Sequence, residues 1–317
     1  MIKVLLKHPL GINAHIRVII EGNCKMANMF IPKNIQLICT PDRSQSYVER
    51  AQLVENYAET MSKLLITDLL HLRREDSDSA RKQGFKCIIH LNDSGIPDYQ
   101  PDIVVNGDAF LLEGATSCHS ILQLQGRTFN IVNPDLNLLR PSKLLLIEKV
   151  NKILITFGGA DPGHLTEVFF EKLKNHPQYH YTFVLGAAFG EERTKKFHEG
   201  LIPKNFTVIQ NTSKIHSQIK NADIIVTLGG ITSYESMYLG KPVLAVSWSY
   251  LNYYVKRLAG ANLVVDLGDP NVCVERFLVE ISNLTRLNQV AQNGWKAIDG
   301  AGANNIANAI LRYINQF

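Results

Sequence analysis

The stretch "IIVTLGGITSYESMYLGKPVLAV", residues 224–246, decides the fold. An apolar run stops at Gly229 and Gly230, and Thr232, Ser233 and Glu235 follow at the head of a short amphipathic segment. A Gly-Lys-Pro turn leads into a second apolar run, "PVLAV" (242–246). Apolar runs of this length without polar alternation indicate strands buried on both faces, and a helical segment between two of them indicates a parallel sheet.

The same unit recurs outward in both directions. Short runs rich in Val, Ile and Leu stand at 2–6 ("IKVLL"), 35–39, 64–67, 86–90 and 102–106, and again at 152–157, 181–185, 206–209, 223–227, 242–246 and 262–266. Helical patterns lie between them, among others at 47–61, 166–173, 213–219 and 250–259. Eleven such runs exceed what one doubly wound sheet holds in this length. The segment "NPDLNLLRPSKLLLIEKVN" (133–151) interrupts the alternation near the middle of the 317 residues. The expected architecture is therefore α/β, with two Rossmann-like domains, residues 1–140 and 141–317, joined by that linker.

Composition excludes several classes. Hydrophobic residues make up 45% and charged residues 20%, a globular profile. No apolar run approaches the length of a membrane-spanning helix. The start "MIKVLLKHPLGIN" shows no secretory h-region with a cleavage site. Five cysteines without a CxxC pair read as reduced thiols, and the expected location is cytoplasmic, with at most peripheral membrane contact. A net charge of +4 is too small to argue for nucleic acid. No GxGxxG and no GxxxxGK[ST] occurs, so the usual dinucleotide and P-loop fingerprints are missing.

"ITFGGADPGHLTE" (155–167) repeats the design of the opening stretch: strand, two glycines, helix start. Capping explains part of both corners. Asp161 suits an N-cap with Pro162 at the first helical position, and Thr232 with Glu235 reads as a capping box. The glycine pairs need another reason. Bare backbone before a helix start lets a ligand approach, and the helix dipole favours an anion there. Glu235 would repel a phosphate but can accept hydrogen bonds from a diol, as a ribose offers. The combination points to a nucleotide diphosphate.

These residues resemble a known family. "DIIVTLGGITSYESMYLGKPVLAV" is similar to the nucleotide-sugar motif in the C-terminal domain of GT-B enzymes related to MurG. "ITFGGADPGHLTE" is similar to the diphosphate loop of a narrower branch, the PseG-type nucleotide-sugar hydrolases and SpsG-type spore-coat polysaccharide proteins. "KLLITDLLH" (63–71), "GFKCIIHLNDSGIPDYQPDIVVNGD" (84–108), "LNLLRPS" (136–142) and "IDGAGANNIANAI" (298–310) resemble that branch elsewhere along the chain. The resemblance implies a GT-B fold with an interdomain cleft, and a final helix that packs back on the N-domain. It implies that Gly158 and Gly159 contact the diphosphate. Gly229, Gly230, Thr232 and Ser233 would line the phosphate and sugar side, Glu235 would hold the ribose, and the backbone near Gln210 would meet the base. The substrate would be a nucleotide sugar, UDP-linked, with a sugar or glycoconjugate acceptor and neither cofactor nor metal.

The family's catalytic histidine falls at His15, in the loop "HPLGINAHIRVII", where Ala14 precedes it and Arg17 follows one residue early. We read that loop as following the first strand, with His15 as general base for an acceptor hydroxyl. A surface-loop histidine is the plain alternative; His8 is a second candidate, and His164 a first-turn residue beside phosphate. His71, His90 and His119 read as structural, Asp68 and Asp93 as strand-end acids, and Asn106 as a strand-end cap. Two hydrolase positions are changed: Leu69 and Leu70 replace a His-Tyr pair, and Tyr234 stands where an Asn precedes the Glu. Transfer to an acceptor is therefore favoured over hydrolysis, with a catalytically inactive nucleotide-sugar-binding protein as the third reading.

Overall fold

The computed structural model describes residues 1–9, 16–21, 31, 35–40, 63–68, 72–91, 99–108, 120–198, 202–210, 212 and 214–316. The chain divides into two units, one of Met1–Ile131 with Ala301–Phe317 and one of Val132–Gly300.

The first unit opens with a short helix, α1 (Ile2–Leu5), where a strand was expected. A five-residue apolar run satisfies either structure, and periodicity alone does not separate them. The first strand is instead β1 (Arg17–Glu21), parallel to β2 (Gln36–Thr40). A second sheet carries β3 (Lys63–Thr67), β4 (Phe85–Leu91), β5 (Ile103–Asn106) and β6 (Leu122–Gln125), parallel and in sequential order. Strand β6 reads "LQLQ"; its alternation marks a half-exposed edge strand rather than a doubly buried one, so a search for apolar runs passes over it. Helix α2 (Arg74–Lys82) lies against β4. The helix expected at 47–61 lies outside the described residues.

The second unit begins with the linker, which holds a 3₁₀ turn (Pro134–Leu138) and otherwise no regular structure up to Asn151. Its elements are β7 (Lys152–Ile155), α3 (Leu165–Leu173), β8 (His180–Leu185), α4 (Glu191–His198), β9 (Phe206–Gln210), α5 (Ile215–Asn221), β10 (Ile224–Thr227), α6 (Ile231–Tyr238), β11 (Val243–Ala245), α7 (Leu251–Gly260), β12 (Val265–Asp266), α8 (Cys273–Glu280) and α9 (Leu284–Ala297). The six strands are parallel in the order β12-β11-β10-β7-β8-β9. That order has one reversal, between β7 and β10, where the chain leaves one flank of the sheet and begins the other. Phe170 anchors the aromatic core on one side, with Phe183, Phe197 and Phe206 ring centres 5.2, 5.1 and 5.1 Å away. Such contacts fix helix positions beyond what burial alone provides.

The last helix, α10 (Gly302–Ile314), belongs to the first unit. Its Ile306, Ala309, Ile310 and Tyr313 share a core with Cys87, Ile89, Ile103, Val105 and Leu124. Glycine at position 302 permits this seat: an added Cβ would lie 1.9 Å from the Asn130 carbonyl oxygen and within 3 Å of two further backbone atoms. Backbone cannot step aside as a flexible side chain can. Gly302→Ala should therefore cost about 1–3 kcal/mol, the usual penalty of overpacking, seen as a lower midpoint in urea denaturation. An unchanged midpoint would show that the helix start is looser than its packing indicates.

Candidate functional site

The candidate site is built on the Val132–Gly300 unit, at the carboxyl ends of β7 and β10. The two strands are neighbours, with Ile153, Leu154 and Ile155 paired to Ile224, Ile225 and Val226. The Thr156 N–H donates to the Val226 carbonyl at 3.0 Å. The segments that follow them, both glycine corners, therefore start side by side at the reversal in strand order. In open α/β sheets this is where ligands bind.

The first corner turns at Gly158, whose φ of +83° falls in the region that favours glycine. A Cβ on Gly158 or on Gly159 would meet nothing within 4 Å, so both face open space. Gly186, after β8, backs them; its own Cβ would lie 2.3 Å from the Gly158 carbonyl oxygen. The helix does not begin at Asp161 and Pro162 as expected. Asp161 (φ 42°) and His164 (φ 54°) are left-handed, and α3 starts at Leu165 with His164 in the N-cap position. Asp161 still serves that helix from a distance. Its buried carboxylate accepts from the Leu165 N–H at 3.0 Å and the Thr166 N–H at 2.8 Å. The dipole end of α3 is thus already occupied by an anion of the protein's own, and a ligand at this corner meets glycine backbone instead.

Arg193 holds this loop from α4, a role that sequence inspection missed. Its guanidinium donates to Glu167 through two parallel bonds of 2.7 and 2.8 Å, and to the carbonyls of Ala160 and Asp161 at 2.8 and 3.0 Å. Burial alone would raise the Glu167 carboxyl, but the Arg193 bonds outweigh it and hold it below the ordinary carboxylate range. His164 is exposed and meets Glu167 at 3.2 Å.

The second corner is arranged differently. Helix α6 has Gly230, which has no side chain, as its N-cap, and among the described residues no side chain is bonded to its first-turn N–H groups. The expected capping box is not formed, because the helix begins at Ile231, which puts Thr232 inside the first turn. Gly230 faces open space, whereas a Cβ on Gly229 would meet Val255 Cγ2 at 2.8 Å; Gly229 is a packing glycine against α7. Ser233 is fully buried, and its hydroxyl donates to the Leu228 carbonyl at 2.5 Å, so it shapes the turn rather than lining a ligand surface. Glu235, released from capping, meets His216 Nε2 at 3.2 Å through Oε1. Gln210 ends β9 exposed, and its amide donates to Thr194 Oγ1 at 3.1 Å. The open elements of the pair of corners are Gly158, Gly159, Gly230 and the uncapped start of α6, which together can receive an anion.

The other sequence candidates lie in the first unit. His15, His71, His119 and Asp93 lie outside the described residues. Because the first strand is β1, His15 precedes it in the chain rather than following it, which removes the strand-end argument for that residue. His8 is buried with Nε2 3.1 Å from Asn308 Oδ1, a packing partner of α10. His90 is buried beside Thr67 Oγ1 at 2.9 Å, and burial lowers its pKa to about 4. Asn106 accepts from the Asp108 N–H at 3.1 Å as a strand-end cap, and Asp68 is exposed.

Comparison with known proteins agrees with this geometry at the level of the fold. The chain is 25% identical over 193 residues to the spore coat polysaccharide biosynthesis protein SpsG of Bacillus subtilis, covering 58% of this chain and 55% of SpsG. MurG of Acinetobacter baumannii superposes with a TM-score of 0.61 at 13% identity, over 98% of this chain and 95% of MurG. The chain therefore has a GT-B-type fold similar to that of MurG, and its sequence is similar to that of SpsG. S. aureus MnaA, in a structure with UDP, gives a TM-score of 0.61 at 11% identity over 95% and 97% of the two chains. No protein-family model matches. The chain spans about half the length of the curated relatives it matches. Among the described residues of this GT-B chain no helix is long and apolar enough to cross a membrane.

Asp161→Ala should cost about 1–3 kcal/mol of stability, the range for hydrogen bonds to a charged group, read as a shift in chemical denaturation at neutral pH. Stability equal to wild type would mean that the carboxylate is not the cap of α3.

Proposed function

We propose that the Val132–Gly300 unit binds the diphosphate of a UDP-linked sugar between its two glycine corners, and that the protein transfers that sugar to a sugar or glycoconjugate acceptor in surface polysaccharide biosynthesis. The observation that carries this reading is the pair of open glycine corners flanking the β7/β10 reversal, one of them ending in an uncapped helix. The role of SpsG in spore coat polysaccharide biosynthesis and the UDP held by MnaA support it. The acceptor hydroxyl attacks the anomeric carbon, and the bond from that carbon to the diphosphate oxygen breaks. UDP leaves with the electron pair, and the hydroxyl proton passes to a base. Negative charge grows on the departing diphosphate, where the first-turn amides and dipole of α6 stabilise it. This charge stabilisation comes from backbone alone, so the proposed transfer proceeds without a divalent metal. Glu235 accepts from the ribose diol. The cytoplasm is the proposed site of action, in keeping with cysteines that form no CxxC pair.

Gly230→Ala tests the binding half with the fold retained. An added Cβ meets no protein atom within 4 Å, so the variant should fold with a stability loss of at most about 1 kcal/mol, alanine being the poorer N-cap, while calorimetric affinity for UDP drops at least about tenfold, since ~1.4 kcal/mol is one decade. Equal affinity would place the diphosphate elsewhere.

The base is proposed to be His15, on the family resemblance alone. His15→Ala should lower kcat by ~10²–10⁴-fold, the usual worth of general base catalysis, with UDP affinity unchanged and wild-type turnover preserved in EDTA. UDP release that is equally fast without any acceptor would make the reaction hydrolysis. A His15→Ala variant with wild-type kcat would remove His15 from the mechanism.

A further inference from the structure

Glu235 and His216 form a pair that caps neither α3 nor α6. Glu235 sits one turn into α6, and its side chain is 13% exposed. His216 stands at the second position of α5, with 16% of its side chain exposed. Among the described residues the Glu235 carboxylate has one hydrogen-bond partner, His216 Nε2, which meets Oε1 at 3.2 Å. A carboxylate this far from water needs a donor. An ionised carboxylate only accepts, so the imidazole nitrogen facing it carries the proton in either charge state of the ring. The bond uses one carboxylate oxygen and leaves Oε2 with its lone pairs.

We propose that His216 is a positioning residue for nucleotide recognition: its Nε2–H holds Oε1 of Glu235, so that Oε2 is presented to the cis-diol of a ribose. The inference rests on the nucleotide-binding reading above and adds the group that sets it. A glutamate side chain without a partner spreads over several rotamers. One fixed by a second hydrogen bond is aimed before the ligand arrives, and the ordering cost falls out of the binding step. The neighbouring helix start at α5 thus contributes to sugar selectivity without touching the ligand. Position 216 lies in "TSKIHSQIKNAD" (212–223), where nothing in the local pattern distinguishes a site residue from a solvent-facing helix residue.

The test is calorimetry with two probes, UDP and 2′,3′-dideoxy-UDP, on wild type, His216→Ala, His216→Gln, Glu235→Ala and the His216→Ala/Glu235→Ala double variant. Wild type should prefer UDP by roughly 10–100-fold, the worth of hydrogen bonds to a charged group. His216→Ala should lose most of that preference, with affinity for the dideoxy probe unchanged, and His216→Gln, which keeps a donor, should recover part of it. The double variant should equal Glu235→Ala, because residues acting through one another are not additive. The inference is overturned if His216→Ala keeps the wild-type preference, or if it weakens both probes equally. Wild type that binds neither probe would instead overturn the nucleotide reading itself, and the inference with it. Should His216→Ala fail to fold, His216→Gln against His216→Leu carries the same comparison.

Discussion

The pairing of β10 with β7 is the constraint on which the candidate site depends. These strands are far apart in sequence, and their hydrogen bonds place residues 156 and 228 at the same edge of the sheet. Everything proposed for the ligand follows from that juxtaposition. A single glycine corner is a common helix approach; two at the point where strand order reverses stand where open α/β sheets bind their ligands. The strands themselves are built for permanence, since β7 and β10 are buried along nearly their whole length. Rigid strands are what allow the corners to stay open without side chains to prop them.

The two corners divide the work unequally. At the first, a buried aspartate supplies the negative charge that the helix start wants, and Arg193 ties that aspartate's loop to α4. The helix is satisfied before any ligand arrives, so its dipole adds little to binding. At the second, no side chain among the described residues takes that place, and glycine keeps the approach clear. In the proposed binding mode charge stabilisation is thereby concentrated at α6, and the first corner contributes shape. The pattern "GG, then a capping residue" is the same in both stretches, yet its physical meaning differs because Asp161 reaches forward to N–H groups four and five residues on, while Thr232 lies inside its helix.

Most of the second unit was legible from its sequence, because doubly buried parallel strands announce themselves as apolar runs; "KILITF", "YTFVL" and "DIIVT" each hold a strand, with ends one or two residues from those expected. The first unit was less so. "IKVLL", four apolar residues around Lys3, is too short to carry a period that separates helix from strand, and its first four residues are helical; "LQLQ" is a strand because an edge position tolerates polar alternation. Within the site, the open glycines were legible from the chain alone, while Gly229 and Ser233 were not separable from them; only packing against Val255 and the bond to Leu228 reveal their structural duty. Arg193, Gly186 and His216 left no local signal. Each acts across the sheet or between helices, on a partner 19 or more positions away.

The central claim is that one diphosphate touches both corners at once. Hydrogen–deuterium exchange with and without saturating UDP tests it directly. The account predicts slowed exchange in the peptides covering 156–164 and 228–235 together, with the strands beneath them unchanged. Protection confined to one of these segments, or found only outside both, would contradict it.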